Sequence, residues 1–378
     1  MPTTVPLCRL GRSGLTVSRL ALGTMQFGAR MEEADAKRMV DHAADRGVNF
    51  IDTADNYVSG RAEEITGRAI AKNRNYWVLA TQVATVTPGA GPNRRGLSRK
   101  WIMEQAAASL KRLGTDFIDI LYLHKEDTLT PLEETVRALA DLQRSGAIRY
   151  FGLSNYRAWR IARICDICDA EGIDRPVVAQ PLYHALNRSI EVEVLPVCAE
   201  FGLGVFPYSP NARGVLSGKY APGAAPPPDS RAAVTADTLK GETRPEALAA
   251  ANILYKRMMS SEFQPENLKA AAAITEHARK RGYEPTAFAI AWVLANPTIS
   301  GAIAGPRTMP QWESYLKAFD VEWTPEDEAL VNGLVPPGTT AVHQFTDPLY
   351  PIEGRGVARL GRPTSGPVDP GVVSVTTL

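Results

Sequence analysis

The chain has 378 residues, 44% hydrophobic and 22% charged, with a formal net charge of +1. Those proportions are ordinary for a globular protein, and near-neutrality leaves no basic field to recruit nucleic acid or an anionic membrane. The longest apolar runs are strand-sized or broken by Pro and charge, which argues against a transmembrane helix. The start, Met1-Pro2-Thr3-Thr4-Val5-Pro6, lacks the regions of a secretion signal, so a cytoplasmic protein is expected.

Arg19–Gly23 reads as a short apolar strand ending in Gly-Thr-Met. Glu32–Arg46 carries Ala36, Met39, Val40 and Ala43 at helical spacing and stops at Gly47. Val48–Asp52 is the second strand, followed by a helix over 62–72 and a third strand at Tyr76–Val83. Ser98–Leu113 is helical with Gly114 as its C-cap, Phe117–His124 a strand, Pro131–Arg144 a helix and Ile148–Leu153 a strand. The pattern continues with a helix at Arg157–Glu171, a strand at Val177–Gln180, a helix at Ile190–Phe201 and a strand at Leu203–Pro207.

A long Pro- and Ala-rich connection then spans 211–265; segments of that length inside a domain are usually functional lids or disordered. Helices over 266–281 and 285–295, an eighth strand at Ile299–Ala304 and helices over 309–319 and 325–333 complete the alternation. Eight strands alternating with helices and no internal boundary predict a (β/α)8 TIM barrel over residues 1–335, with a Pro/Gly-rich tail, 336–378, on its surface. A doubly wound sheet is the competing fold, but no G-x-G-x-x-G follows any strand.

Four cysteines in a chain this long do not make a disulfide framework. Cys165 and Cys168 form a C-x-x-C inside a helical stretch with no second ligand pair nearby, so two small core-facing residues are the expectation. The five histidines show no metal-ligand spacing.

Barrel chemistry collects just past the carboxyl ends of the strands. There the sequence offers Gly23-Thr24-Met25, Asp52 with Tyr57 beyond, Thr81-Gln82, His124, Ser154-Asn155-Tyr156, Gln180, Tyr208-Ser209-Pro210 and Gly305-Pro306-Arg307. Each has a structural explanation alone: Asp52 as a loop cap, Asn155 as a helix cap, Gln180 as a satisfied amide, Tyr208 as rim packing. Polar groups at nearly every strand end together read as one site.

At these residues the chain resembles the aldo-keto reductase superfamily over 7–335. The resemblance is carried by Leu10-Gly11-Arg12-Ser13-Gly14-Leu15, Leu22-Gly23-Thr24-Met25, Ile51-Asp52-Thr53-Ala54-Asp55-Asn56-Tyr57, Leu113-Gly114-Thr115-Asp116, Gly152-Leu153-Ser154-Asn155, Tyr208-Ser209-Pro210 and Gly305-Pro306-Arg307. It implies a small-molecule carbonyl or alcohol substrate and a nicotinamide dinucleotide, NADP(H), lying across the strand ends. The family's Asp, Tyr, Lys, His tetrad falls on Asp52, Tyr57, Gln82 and His124, so three positions match and the lysine is replaced. Gln82 can hydrogen-bond but brings no charge to tune a tyrosine of ordinary pKa about 10, and turnover is expected to fall about a hundredfold or more. Asp52 is expected to be pushed upward in pKa.

Three accounts of Gln82 stand side by side: an engineered inactivating change, a natural variant with slow or related chemistry, or a catalytically silent nucleotide-binding sensor. The resemblance further implies that Ser154, Asn155 and Gln180 hold the carboxamide and that Tyr208 stacks on the nicotinamide. Ser209 to Gly214 (with Pro210 and Asn211), then Gly218 and Lys219, clamp the pyrophosphate, and Arg307 with Gln311 takes the adenosine end. The arginine favours a 2′-phosphate. Ser314 and Tyr315 depart from the family's Glu-Asn pair. The polar stretches 83–97 and 211–265 are expected to border a pocket for a sugar, glycoside or other polyhydroxy carbonyl.

Overall fold

Strands that are apolar along their whole length can bury both faces only in a parallel sheet covered by helices. That is the arrangement in the computed structural model, which describes residues 4–84, 93–228, 230–233 and 255–342. After a small hairpin, β1 (Leu7–Arg9) and β2 (Thr16–Ser18), eight parallel strands follow: β3 (Leu20–Gly23), β4 (Phe50–Asp52), β5 (Val78–Val83), β6 (Ile118–Leu123), β7 (Ile148–Ser154), β8 (Val178–Gln180), β9 (Gly204–Val205) and β10 (Ala302–Ala304). They pair in chain order, and β10 pairs with β3. The seam between β9 and β10 is joined by Ser300 N–H donating to the Val205 carbonyl at 3.0 Å and Ile303 N–H to that of Pro207 at 3.0 Å. The chain forms a (β/α)8 barrel.

The described helices are α1 (Glu33–Asp45), α2 (Arg61–Ile70), α3 (Arg99–Leu113), α4 (Leu132–Arg144), α5 (Ala158–Glu171), α6 (Val194–Phe201), α7 (Pro265–Lys280), α8 (Pro285–Ala295), α9 (Met309–Leu316) and α10 (Pro325–Leu334). Alternation along the strands sorts the core into two layers. Leu22, Ile51, Leu79, Leu121, Phe151 and Val205 pack outward among the helices. Phe50, Val78, Ala80, Ile120, Tyr122, Val178 and Phe206 fill the barrel interior. The same inward rows end, one residue pair further on, in Asp52, Gln82 and Gln180. The site is therefore the polar top layer of the inner core.

The hairpin, which hydrophobic alternation over three-residue strands did not reveal, closes the opposite end. Leu10 and Val17 join the inner cluster, in which Phe50 and Phe206 meet edge-on at 4.9 Å. Gly11 has φ +54°, and a Cβ there would lie 2.4 Å from the Gly202 carbonyl oxygen and 2.5 Å from Gly204 N.

Most elements fall where their patterns place them, with shorter strands. The helix expected over 190–201 instead splits into a 3₁₀ turn, Ser189–Glu191, and α6. Pro196 fits the first turn of α6, whereas in a continuous helix its ring would strike the carbonyl four residues back. The 211–265 connection carries 3₁₀ turns at Ala212–Ser217 and Arg231–Ala233 and helical backbone over 255–260. Residues 234–254, and 85–92 of the other expected pocket border, lie outside the described residues. Of the tail, 336–342 packs on the β8–α6 connection, with Arg188 N–H donating to the Thr339 carbonyl and Ala341 N–H to that of Leu186; 343–378 are outside the described residues. Cys165 and Cys168 are buried free thiols in the core, as expected for helix-face packing.

Gly11→Ala is expected to cost about 3 kcal/mol, from a left-handed φ plus a backbone clash that cannot relax through a side chain. Urea unfolding of the two proteins at one pH measures it.

Candidate active site

The inner rows of β4, β5 and β8 bring three polar side chains to one point. The Gln82 Nε2 amide lies 3.0 Å from both Asp52 carboxylate oxygens and 3.0 Å from Gln180 Oε1, and Gln180 Nε2 donates to Asp52 Oδ1 at 3.0 Å. All three are buried. Burial raises the Asp52 carboxyl to about 7, only partly opposed by the hydrogen bonds from Gln180 and Gln82. The expected upward push on Asp52 is present, and Gln82 holds the position of a bridging donor without its charge. Gln82 Oε1 is buried without a hydrogen-bond partner. Thr24, past the end of β3, is buried and its N–H donates to the Asp52 carbonyl at 2.9 Å; Gly23 pairs with Asp52 across the sheet.

Past β4 the chain turns through a 3₁₀ segment, Tyr57–Gly60, in which Val58 and Ser59 both have positive φ. This carries the half-buried Tyr57 ring edge-on to His124, with centroids 6.1 Å apart. Burial, then the Asp52 and Tyr208 charges, raises the Tyr57 phenol well above the usual range, with Arg231 pulling it back. Burial, then Lys125 and Arg257, holds His124 down to about 4, so its imidazole is neutral at physiological pH. Asn155, at φ +57°, donates from Nδ2 to the His124 carbonyl at 2.8 Å and approaches Ser154 Oγ at 3.0 Å, while Tyr208 OH donates to its Oδ1 at 2.8 Å. Ser154 Oγ in turn donates to the Gln180 carbonyl at 2.8 Å. Asn155 is thus a junction between strand ends rather than a helix cap; Arg157 precedes α5.

The loop after β9 carries Ser209 at φ +56°, Ala212 at +45°, Arg213 at +54° and Gly214 at +96°. A Cβ on Gly214 would lie 2.8 Å from Lys219 Nζ. Burial, then Arg307, Arg231 and Arg30, lowers Lys219 to about 8. Burial and Arg213 lower Arg231 to about 10. Cations that depress one another are relieved by a bound anion, so this end fits the phosphates of a dinucleotide. Asn211 Oδ1 is buried without a hydrogen-bond partner, while its Nδ2 donates to Thr286 at 3.3 Å. Burial raises Tyr315, and Arg231 and the Asn211 amide pull it back, which places Tyr315 beside this group despite its departure from the family pattern. Gln311 Oε1 accepts from Arg307 N–H at 2.8 Å, tying those two together.

Gly218, at φ +74°, lies against α7, its carbonyl accepting from Arg279 at 3.2 Å. Pro210 is buried, Met25 is half-buried, and a Cβ on Gly305 would meet open space. Periodicity carries no signal for Arg231, Arg257 or Arg30, which stand in loops or in the long connection. Nor does it reveal the buried pair of Arg213 with Glu262 at 2.7 Å. Burial alone would raise Glu262, but Arg213, the nearby His184 and a hydrogen bond from Ser261 hold it well below the carboxylate range. No group of three or more metal-ligating side chains occurs among the described residues, and no described helix is long and apolar enough to cross a membrane.

A parallel eight-stranded barrel with an Asp, a Tyr and a His at its strand ends, beside a cationic loop after β9, defines a barrel oxidoreductase. The model of the aldo/keto reductase family matches residues 19–335, and the chain belongs to that family. A probable voltage-gated potassium channel subunit beta of Arabidopsis thaliana is 37% identical over 317 residues, 82% of this chain and 90% of that protein. An uncharacterized oxidoreductase of Bacillus subtilis strain 168, YrpG, is 34% identical over 337 residues, 86% and 95% of the two chains. Versiconal hemiacetal acetate reductase of Aspergillus parasiticus is 32% identical over 344 residues, 84% and 94%. A nicotinamide dinucleotide is the redox partner that family membership implies.

Asp52 binds its proton more tightly folded than unfolded, so its contribution to stability is fully present below the unfolded carboxyl's pKa of about 4 and is lost as pH rises to about 7. His124, depressed in the fold, contributes in the opposite direction over the same window. Comparison with Asp52→Asn cancels the histidine: the stability of Asp52→Asn minus that of the parent is expected to increase steadily from pH 4 to 7, then level off. Urea unfolding across that range reads the difference, and a flat difference would mean that Asp52 is not held protonated.

Proposed function

We propose that this protein interconverts a carbonyl (aldehyde, ketone or keto-sugar) and an alcohol by hydride transfer with NADP(H), at a rate limited by Gln82. The observation that carries the reading is Arg231, whose charge acts on Tyr57 of the Tyr57–His124 pair and also on Lys219, which Arg307 and Arg30 depress as well. When bound, the dinucleotide supplies the hydride. Ser154, Asn155 and Gln180 would hold its carboxamide end, Tyr208 its ring, the Ser209–Lys219 loop its pyrophosphate, and Arg307 with Gln311 its adenosine end. Neutral His124 donates a hydrogen bond to the carbonyl oxygen, and Tyr57 gives its proton to the alkoxide that forms. Asp52, when ionised, makes Tyr57 a weaker acid, and Gln82 has no charge to counter that. The polar residues Asn93, Arg94 and Arg95 favour a polyhydroxy substrate such as a sugar or glycoside.

The silent-sensor alternative keeps two supports: the side-chain donors to Asp52 are both amides, and three relatives carry the name of a channel subunit.

Gln82→Lys is expected to raise turnover of a reactive aldehyde by about a hundredfold while leaving NADPH binding within about threefold. Intrinsic-fluorescence quenching measures the binding and cofactor oxidation the turnover; binding without turnover in either form favours the sensor. Keto-sugars should outperform steroids in the restored enzyme.

Arg307→Ala is expected to weaken NADPH by about tenfold or more and to leave NADH unchanged, because guanidinium grips a phosphate through two donors. Equal loss for both nucleotides in the same titration would remove the assignment to a 2′-phosphate.

A further inference from the structure

We infer that Arg257, from the far end of the segment after β9, brings positive charge to this catalytic centre, facing the His124 ring and anchoring a hydrogen-bonded chain through Tyr208 and Asn155 to the His124 carbonyl. The inference rests on the reductase reading for its role in turnover, but not for the electrostatics. On the strand side, the side-chain donors to Asp52 are the amides of Gln82 and Gln180, and among the described residues these hydrogen bonds are what opposes its burial.

On the opposite side a directed chain begins with a cation. Arg257 Nη2 donates to Tyr208 OH at 3.2 Å, Tyr208 OH donates to Asn155 Oδ1 at 2.8 Å, and Asn155 Nδ2 donates to the His124 carbonyl at 2.8 Å. Each acceptance makes the next group a better donor, so the links polarise in one sense.

The end of this chain is the residue whose ionisation matters most for activating a carbonyl. His124 Nδ1 is buried without a hydrogen-bond partner. An imidazolium would bury an unpaired N–H there, whereas the neutral ring with its proton on Nε2 leaves only a lone pair. The charged or titratable groups around the ring are Tyr57, Lys125 and Arg257, and both cations favour that neutral form. A neutral Nε2–H is a hydrogen-bond donor rather than a competing acid, so Tyr57 is left as the proton source. Arg257 is a positioning residue: it adds to the forces that keep His124 neutral and sets the orientation of the Tyr208–Asn155 link.

The deciding measurement is an NMR titration of the His124 imidazole in the protein without nucleotide, for the parent, Arg257→Lys, Arg257→Met and Arg257→Gln. Loss of the charge in the Met and Gln forms is expected to raise the midpoint by about half a pH unit, because burial and Lys125 continue to depress it, while Lys retains the parent value. Gln can keep a hydrogen bond to Tyr208 and serves alone if the Met form does not fold. An unchanged midpoint in the neutral variants overturns the inference. With a reactive aldehyde, Arg257→Met is expected to lower turnover about tenfold in the parent and about threefold or less in the Gln82→Lys background, where charge is supplied twice. Equal losses in both backgrounds also overturn it. Absence of any turnover, even with Gln82→Lys, would sink the reductase reading instead and leave the titration to decide the electrostatics.

Discussion

The site depends on a carboxylate that the fold has taken out of water. Asp52 sits where the inward rows of β4, β5 and β8 end, and its neighbours can offer it only amide hydrogens. A buried ion needs either a counter-charge or enough donors, and amides supply the second without the first. Its pKa near neutrality follows from that arithmetic. Gln180 is drawn into the same arrangement, because its amide is turned to Asp52 and Gln82 in this conformation.

The mouth of the barrel is divided electrostatically. The strand-borne floor is neutral or acidic, made of Asp52, Gln82 and Gln180. The rim is cationic and comes almost wholly from chain beyond β9: Arg213, Lys219, Arg231, Arg257 and Arg307, with Arg30 joining from the β3–α1 connection. On the proposed reading, a dinucleotide and a developing alkoxide would fall to different parts of the chain. Rigid strands set the geometry, and loops set the field. This division lets one barrel keep its proton donor in place while the charge around it changes.

How much of this the sequence could disclose follows from where periodicity carries information. The apolar runs at Val48–Asp52, Tyr76–Val83 and Phe117–His124 announced strands, and the polar residues closing them announced the site. The runs did not say which side chains face inward, since both faces of a parallel strand are buried. Pairing resolved that, setting Phe50, Val78 and Ile120 under Asp52 and Gln82. The three-residue strands of the hairpin were too short to alternate visibly. Arg231 and Arg257 sit in a Pro- and Ala-rich segment with no pattern to assign them a direction, so only tertiary packing reveals their company. Tyr315 broke the family pattern and yet lies among the same cations.

The hairpin that stoppers the barrel has a kinetic consequence. Its seat is built from chain made much later: Arg12 N–H donates to the Gly202 carbonyl, and Cys8 Sγ to that of Ser300, a separation of 292 residues. Arg19 likewise reaches the carbonyls of Leu294 and Ile299. Contacts of such range cannot reward loop closure until almost the whole barrel has been synthesised. Leu10 and Val17 must therefore wait as exposed apolar side chains while the strands assemble, and the floor of the molecule is the part that locks last. Folding order here runs against chain order.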